Sequence, residues 1–229
     1  MNSAPNPQAV VFDLDGLMFN TEELYQDVGA EMLRRRGHEF GPDLLDAMMG
    51  RPNRVALQIM IDWHDLAATV EDLTRETAEI FPPILDTRLT PMPGLLELLA
   101  ALEQHGIPKA IATSSGKRFV DDVLSRFALA PRFDFILTAE SVTEGKPHPE
   151  VYQKAAAGFH LTPPQMAVLE DSANGCRAAV AAGARVVAVP GGHSAQHDFT
   201  GAEFIAQTLG DPRIYTLLGL GQPETGRSS

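Results

Sequence analysis

Asp13 and Asp15 stand two residues apart at the end of an uncharged, β-branched run, Ala9 to Phe12, and Gly16 follows at once. The run reads as a short buried parallel strand. At i, i+2 the two carboxylates leave it on one side. Unpaired buried charge is costly, so a partner or a cation is expected there. Two carboxylates at a strand end also make a hard-oxygen site suited to Mg²⁺. The same residues are compatible with an Asx-type turn that only ends the strand.

Three later segments carry similar chemistry. Thr113-Ser114-Ser115-Gly116 follows an apolar run and offers hydroxyls and backbone N–H groups at a helix start, which suits either an anion or an ordinary cap. Glu170-Asp171-Ser172 is a second acidic pair where another apolar run gives way to a turn. Between these two lies Gly145-Lys146-Pro147-His148-Pro149, a lysine held stiffly between glycine and proline. The chain has only four lysines, Lys109, Lys117, Lys146 and Lys154, which makes this placement more telling.

Alternating elements can gather these segments. Strand-like runs lie at Ala9–Asp13, Pro108–Thr113, Phe135–Thr138, Met166–Glu170 and Arg185–Val189. Helical spacing joins Leu95, Leu98, Leu99 and Leu102, with Pro93 before and Gly106 after, and Phe119, Val123, Leu124 and Phe127 repeat it. Pro149–Gly158 and Asn174–Gly183 are the next helices. Strand and helix in alternation predict an α/β fold with a doubly wound parallel sheet. In such sheets ligands bind at the carboxyl ends of the strands, where all four polar segments fall.

Residues 20–90 break the alternation, with helical patterns at Glu22–Arg36, Asp43–Met49, Arg54–His64 and Val70–Phe81 and no convincing strand. They read as an inserted all-helical cap domain on two short linkers, able to close as a lid. The predicted core is 9–19 with 91–217, and 1–8 and 219–229 read as disordered tails.

The bulk numbers exclude several classes. At 229 residues, 44% hydrophobic and 21% charged, the chain is ordinary for a globular protein. A net charge of −12 argues against nucleic acid as a partner. An anionic substrate would therefore need local positive charge. No secretory signal or membrane-spanning run is visible, and one cysteine, Cys176, excludes an intramolecular disulfide. A cytoplasmic location is expected; oligomeric state is not readable.

Other features have bland readings. Arg34-Arg35-Arg36 reads as a helix end before Gly37. Cys176 reads as packing. His193, His197 and Asp198 read as loop surface, since their spacing fits no zinc pattern. Met48, Met49, Met60 and Trp63 read as cap interior. Arg51 reads equally as a lid cation or an exposed arginine.

Acidic pair, hydroxyl, lysine and acidic pair, in that order, resemble the haloacid dehalogenase (HAD) superfamily, over about residues 9–217. The text Asp-Gly-Leu-Met-Phe-Asn-Thr-Glu at 15–22, Gly-Lys-Pro-His-Pro-Glu-Val-Tyr at 145–152 and Glu-Asp-Ser-Ala-Asn-Gly at 170–175 is similar to its small phosphatases and β-phosphoglucomutase-like enzymes. Asn20 departs from the aspartate common there, which touches the polar contacts of the cap hinge.

The resemblance implies a HAD-like Rossmannoid core and a Mg²⁺-dependent phosphatase acting on a small phosphorylated metabolite. Asp13 is the implied nucleophile and Asp15 the implied acid and base. Ser114, Ser115 and Lys146 would bind phosphate, with Thr113 the second choice for the hydroxyl. Asp13, Asp15 and Asp171 would hold the metal, aided by Glu170. Glu22 and Arg51 are candidate substrate contacts from the cap. The runner-up is a β-phosphoglucomutase-like transferase, disfavoured by Tyr25 where those mutases carry histidine and by the absence of lysine from residues 20–90. Less favoured still is a catalytically silent binding protein.

Overall fold

The computed structural model describes residues 5–48, 53–192 and 194–221. The chain divides into two compact units, Met1–Phe19 with Pro91–Ser229, and Asn20–Thr90.

The larger unit is an α/β sheet of six parallel strands: β1 (Ala9–Phe12), β2 (Lys109–Ala112), β3 (Phe135–Leu137), β4 (Met166–Glu170), β5 (Arg185–Ala188) and β6 (Phe204–Ile205). The order is β3-β2-β1-β4-β5-β6. The strand order reverses beside β1, so β1 lies between β2 and β4. That position brings the ends of the second and fourth strands to either side of Asp13. Val10 and Phe12 point away from Ala9 and Val11, yet all four are fully buried, because both faces of the sheet are covered. On one face Val11, Val168 and Val186 meet Ala155, Ala178 and Ala179, small side chains that let helices lie close. On the other, the Phe12 ring meets Phe133 edge-on at 5.9 Å.

The helices of this unit, α5 (Leu95–Gln104), α6 (Lys117–Arg126), α7 (Glu150–Gly158), α8 (Ala173–Ala182) and α9 (Pro212–Leu218), come after the four of the smaller unit in chain order. In α5 the expected leucines 95, 98, 99 and 102 are the buried ones. In α6 the buried stripe is Val120, Val123 and Leu124, one residue off the expected start at Phe119. Gly94 caps α5 at φ +85°, and any Cβ on it would lie 2.1 Å from the Gly210 nitrogen, so glycine is required twice over. The segments expected as loose tails make defined contacts where they are described. Gln8 N–H donates to Gln165 O at 2.7 Å, Arg185 Nη1 donates to Pro5 O at 3.0 Å, and Leu220 N–H donates to Tyr215 O at 2.9 Å.

The smaller unit is helical: α1 (Thr21–Arg34), α2 (Pro42–Met48), α3 (Asn53–His64) and α4 (Val70–Arg88). Arg34 and Arg35 bond Glu31 on α1, and Arg35 and Arg36 pair with Glu76 on α4, so the basic run is a helix-pairing device. The expected stop at Phe81 is overrun. Pro82 and Pro83 lie inside α4, which goes on to bury Leu85 beyond them. The capping box of Thr69 and Asp72 starts the helix firmly, and burial of Ile80, Phe81 and Leu85 outweighs the missing N–H groups. Trp63 is 51% exposed, not interior, because the buried stripe of α3 runs through Leu57 and Met60. Asn20 ties the two ends of the unit: its Oδ1 accepts from Thr90 N–H at 2.8 Å and its Nδ2 donates to Arg88 O at 3.2 Å. A carboxylate could not make the second bond, so asparagine suits this place better than aspartate would. Among the described residues no helix is long and apolar enough to cross a membrane.

Candidate active site

The site is built where β1, β2 and β4 end. Asp13 N–H donates to Leu169 O at 3.1 Å, extending the ladder one residue past β1 before the chain turns. Gly16, at φ +73°, makes that turn possible, and its N–H donates to Phe19 O at 3.0 Å. Asp13 is thereby fixed on the sheet and 6% exposed, and Asp15 sits in the turn.

Lys146 reaches across to close the site. Its Nζ donates to Asp13 Oδ1 at 2.5 Å, to Glu170 Oε1 at 2.6 Å and to Ala112 O at 2.9 Å. These use all three ammonium protons, so the lysine is fully committed to the strand ends. Burial pulls its basicity down, but Asp13 and Glu170 outweigh that and hold it well above the ordinary lysine value.

Asp15 is gripped from β2. Its Oδ2 accepts from Ser115 Oγ at 2.6 Å and from Thr113 Oγ1 at 3.3 Å. Ser114, between them, is exposed, because alternation sends it the other way. The hydroxyls brought to the second aspartate are thus those of Thr113 and Ser115. The start of α6 is already occupied by an internal anion: Glu140 accepts from Lys117 N–H with both oxygens, at 3.0 and 3.1 Å, and from Thr138 Oγ1 at 2.6 Å. The hydroxyls of residues 113–115 therefore do not cap α6: Gly116 stands at its N-cap without a side-chain bond, and Glu140 takes the Lys117 N–H instead.

Glu170 is fully buried and fully engaged. Besides Lys146, its Oε1 accepts from Tyr152 Oη at 2.6 Å, and its Oε2 accepts from Ser172 N–H at 3.2 Å and Ser172 Oγ at 3.0 Å. Ser172 also caps α8 through Gly175 N–H. Tyr152 was not singled out from the sequence as a site residue. It is the one phenol in the helix Glu-Val-Tyr-Gln-Lys-Ala-Ala-Ala-Gly, and its partner lies on a different element.

One oxygen each from Asp13, Glu170 and Asp171 lie within 4.8 Å of one another, and all three residues are buried. Burial pushes the Asp13 carboxyl up to about 8, with Glu170 and Asp15 adding to the rise and Lys146 opposing it. Four carboxylates, those of Asp13, Asp15, Glu170 and Asp171, gather at the strand ends, and Lys146 bonds two of them, Asp13 and Glu170. The donor set is hard oxygen, which fits a small divalent cation. Since Glu170 is taken up by Lys146, Tyr152 and Ser172, Asp13 and Asp171 are the residues suited to touch such an ion.

The family profile of haloacid dehalogenase-like hydrolases matches residues 10–189. The chain belongs to that family. It is 31% identical over 176 residues to the phosphorylated carbohydrates phosphatase of Thermotoga maritima, covering 77% of this chain and 82% of that one. It is 29% identical over 224 residues to hexitol phosphatase B of Escherichia coli, covering 92% and 96%. Among solved structures, CbbY from Rhodobacter sphaeroides in complex with phosphate is similar with a TM-score of 0.77 and 26% identity, over 89% of this chain and 95% of that one.

Glu22 is on the first turn of α1 in the helical unit. Arg51, Met49 and His193 lie outside the described residues. Cys176 is 1% exposed in the core, and burial pushes its thiol far up, so it is inert packing. Asp198 accepts from Thr200 N–H and Oγ1, which makes it a turn residue.

Proposed function

We propose that this HAD phosphatase hydrolyses a small phosphorylated carbohydrate with Mg²⁺ as cofactor, by way of an aspartyl-phosphate on Asp13. The observation that carries this reading is the buried ammonium of Lys146 joining Asp13 to Glu170, beside a second carboxylate held by two hydroxyls. A structural ion pair would need one carboxylate; this cluster has four. The names of the phosphatases from Thermotoga and Escherichia coli support phosphorylated carbohydrates as the substrate class.

Asp13 and Asp171, with the main-chain carbonyl of Asp15, would hold the ion. When bound, Mg²⁺ offsets the repulsion between phosphate and carboxylates and polarises the phosphoryl group. A carboxylate oxygen of Asp13 bonds to phosphorus as the ester P–O bond breaks. Asp15 gives its proton to the departing alkoxide, then takes one from the water that attacks the aspartyl-phosphate. Thr113 and Ser115 hold Asp15 toward that oxygen. Lys146 would pass its bond from Asp13 to a phosphoryl oxygen as that carboxylate attacks, and so meet the charge that spreads there in the transition state. The net charge of −12 makes this local positive charge necessary.

The test is phosphate release from hexose, hexitol and pentose phosphates, with phosphoglycolate and nucleotides as competitors. Release should stop in a chelator and return with Mg²⁺. Ca²⁺ should bind but support little turnover, because its larger and looser shell misplaces phosphate against Asp13. Full activity in the chelator would remove the metal from this reading. Conversion of one sugar phosphate to its isomer without release would make the chain a mutase.

A second expectation isolates Asp15. Asp15→Ala should slow hydrolysis of a sugar phosphate by about 10²–10⁴-fold. With p-nitrophenyl phosphate, whose leaving group needs little protonation, the loss should be smaller. Equal losses with both esters would take the acid role from Asp15.

A further inference from the structure

We propose that Tyr152 is a positioning residue: its hydroxyl, together with the missing side chain of Gly175, holds the Glu170 carboxylate where it anchors Lys146 against Asp13. The consequence for turnover rests on the phosphatase reading above; the positional claim does not.

Tyr152 is fully buried on α7, and its Oη donates to the same Glu170 oxygen that accepts from Lys146. The Lys146 ammonium also lies 5.1 Å from the centre of the Tyr152 ring, over its negative face. On the far side Ser172 takes the other Glu170 oxygen through N–H and Oγ. A Cβ on Gly175 would lie 1.7 Å from Glu170 Oε1, 1.9 Å from Cδ and 2.2 Å from Oε2. The carboxylate thus occupies the space of a side chain on α8. Phenol, hydroxyl, backbone N–H and an absent methyl leave it one orientation. Since Glu170 supplies one of the three acceptors of Lys146, fixing the carboxylate fixes the ammonium.

Outer partners of this kind, which touch no substrate themselves, typically contribute 10- to 100-fold to activity. Tyr152→Phe keeps the ring and removes only the donor. Its kcat at saturating Mg²⁺ should fall by about tenfold or more with KM within about twofold, since Lys146 serves the transition state more than ground-state binding. Gly175→Ala, which pushes the carboxylate aside, should give the same split. The independent readout is the crystal structure of Tyr152→Phe beside that of the parent protein: the Glu170 carboxylate should rotate and the Lys146 Nζ to Asp13 Oδ1 distance should lengthen. A lower melting temperature with unchanged kcat, or an undisplaced Lys146, would overturn the proposal. If the parent protein releases no phosphate from any ester, the phosphatase reading fails, and the two crystal structures still decide the role of Tyr152. If Gly175→Ala does not fold, the isosteric Tyr152→Phe decides alone.

Discussion

Asp13→Asn is expected to cut phosphate release by at least about a hundredfold while the protein stays folded. The amide is a poor nucleophile and a poor ligand for a hard cation. It retains an oxygen that can accept from Lys146, so the bond now at 2.5 Å has a successor. Stability should move the other way from activity. Three carboxylates brought within 4.8 Å of one another make an unfavourable charge balance in a site where Asp13 is 6% exposed and Glu170 and Asp171 are buried. Above about pH 8, where the Asp13 carboxyl is ionised, the amide removes one negative charge and relieves it. In a chelator the variant should therefore melt at or above the temperature of the parent protein, and added Mg²⁺ should raise its melting temperature less. Thermal melts and phosphate assays on the same samples separate the two effects. A variant that keeps more than about a hundredth of the parent rate would contradict covalent catalysis by this residue. One that melts well below the parent in chelator would contradict the charge balance.

What was legible in the sequence follows from how far each signal reaches along the chain. The first four strands are apolar runs that end in or run into polar residues, and the fifth runs into Pro190 and Gly191, so each announces itself locally. Strand β6 is two residues long, and no periodicity can show in two residues. Its place is set through space, by pairing of Val187 with Phe204 and Ala188 with Ile205. Helix α9 carried a readable start in Asp211-Pro212, with Ile214, Leu217 and Leu218 behind it, but seven residues make a weak pattern. The overrun of α4 through two prolines is tertiary packing overriding a local stop signal. In the site, Asp13, Lys146 and Glu170 were legible because charged residues stood where apolar strand or surface was expected. The choice among Thr113, Ser114 and Ser115 was harder, since a shift of one residue reverses the side to which a side chain points. Glu140 and Tyr152 could not be placed: each acts on an element distant in sequence, and a tyrosine on a buried helix face reads first as packing.

Lys146→Met should give the largest combined effect on the molecule. The side chain is 6% exposed, and the side chains of its partners Asp13 and Glu170 are 9% and 0% exposed. Methionine fills the volume of the stem and removes the charge. Two buried carboxylates then face each other without an ammonium between them. Removing one member of a buried pair costs about 3–5 kcal/mol. For a chain of this size that is a fall in melting temperature of about 6–20 °C. Added Mg²⁺ should recover more stability in this variant than in the parent protein, because an unbalanced acidic cluster gains more from a cation that binds only the folded state. Activity should not follow. Even with Mg²⁺ saturating, the transition-state charge lacks its fixed donor, and release should stay down by about 10²–10³-fold. Combining Lys146→Met with Glu170→Gln separates stability from chemistry. The glutamine removes one stranded charge and keeps an oxygen for the Tyr152 hydroxyl, so melting temperature should rise again while turnover stays low. Restored turnover in the double variant would mean that Lys146 serves the fold alone. An unchanged melting temperature in Lys146→Met would mean that the two carboxylates do not need it, and the charge balance on which the metal assignment rests would have to be redrawn.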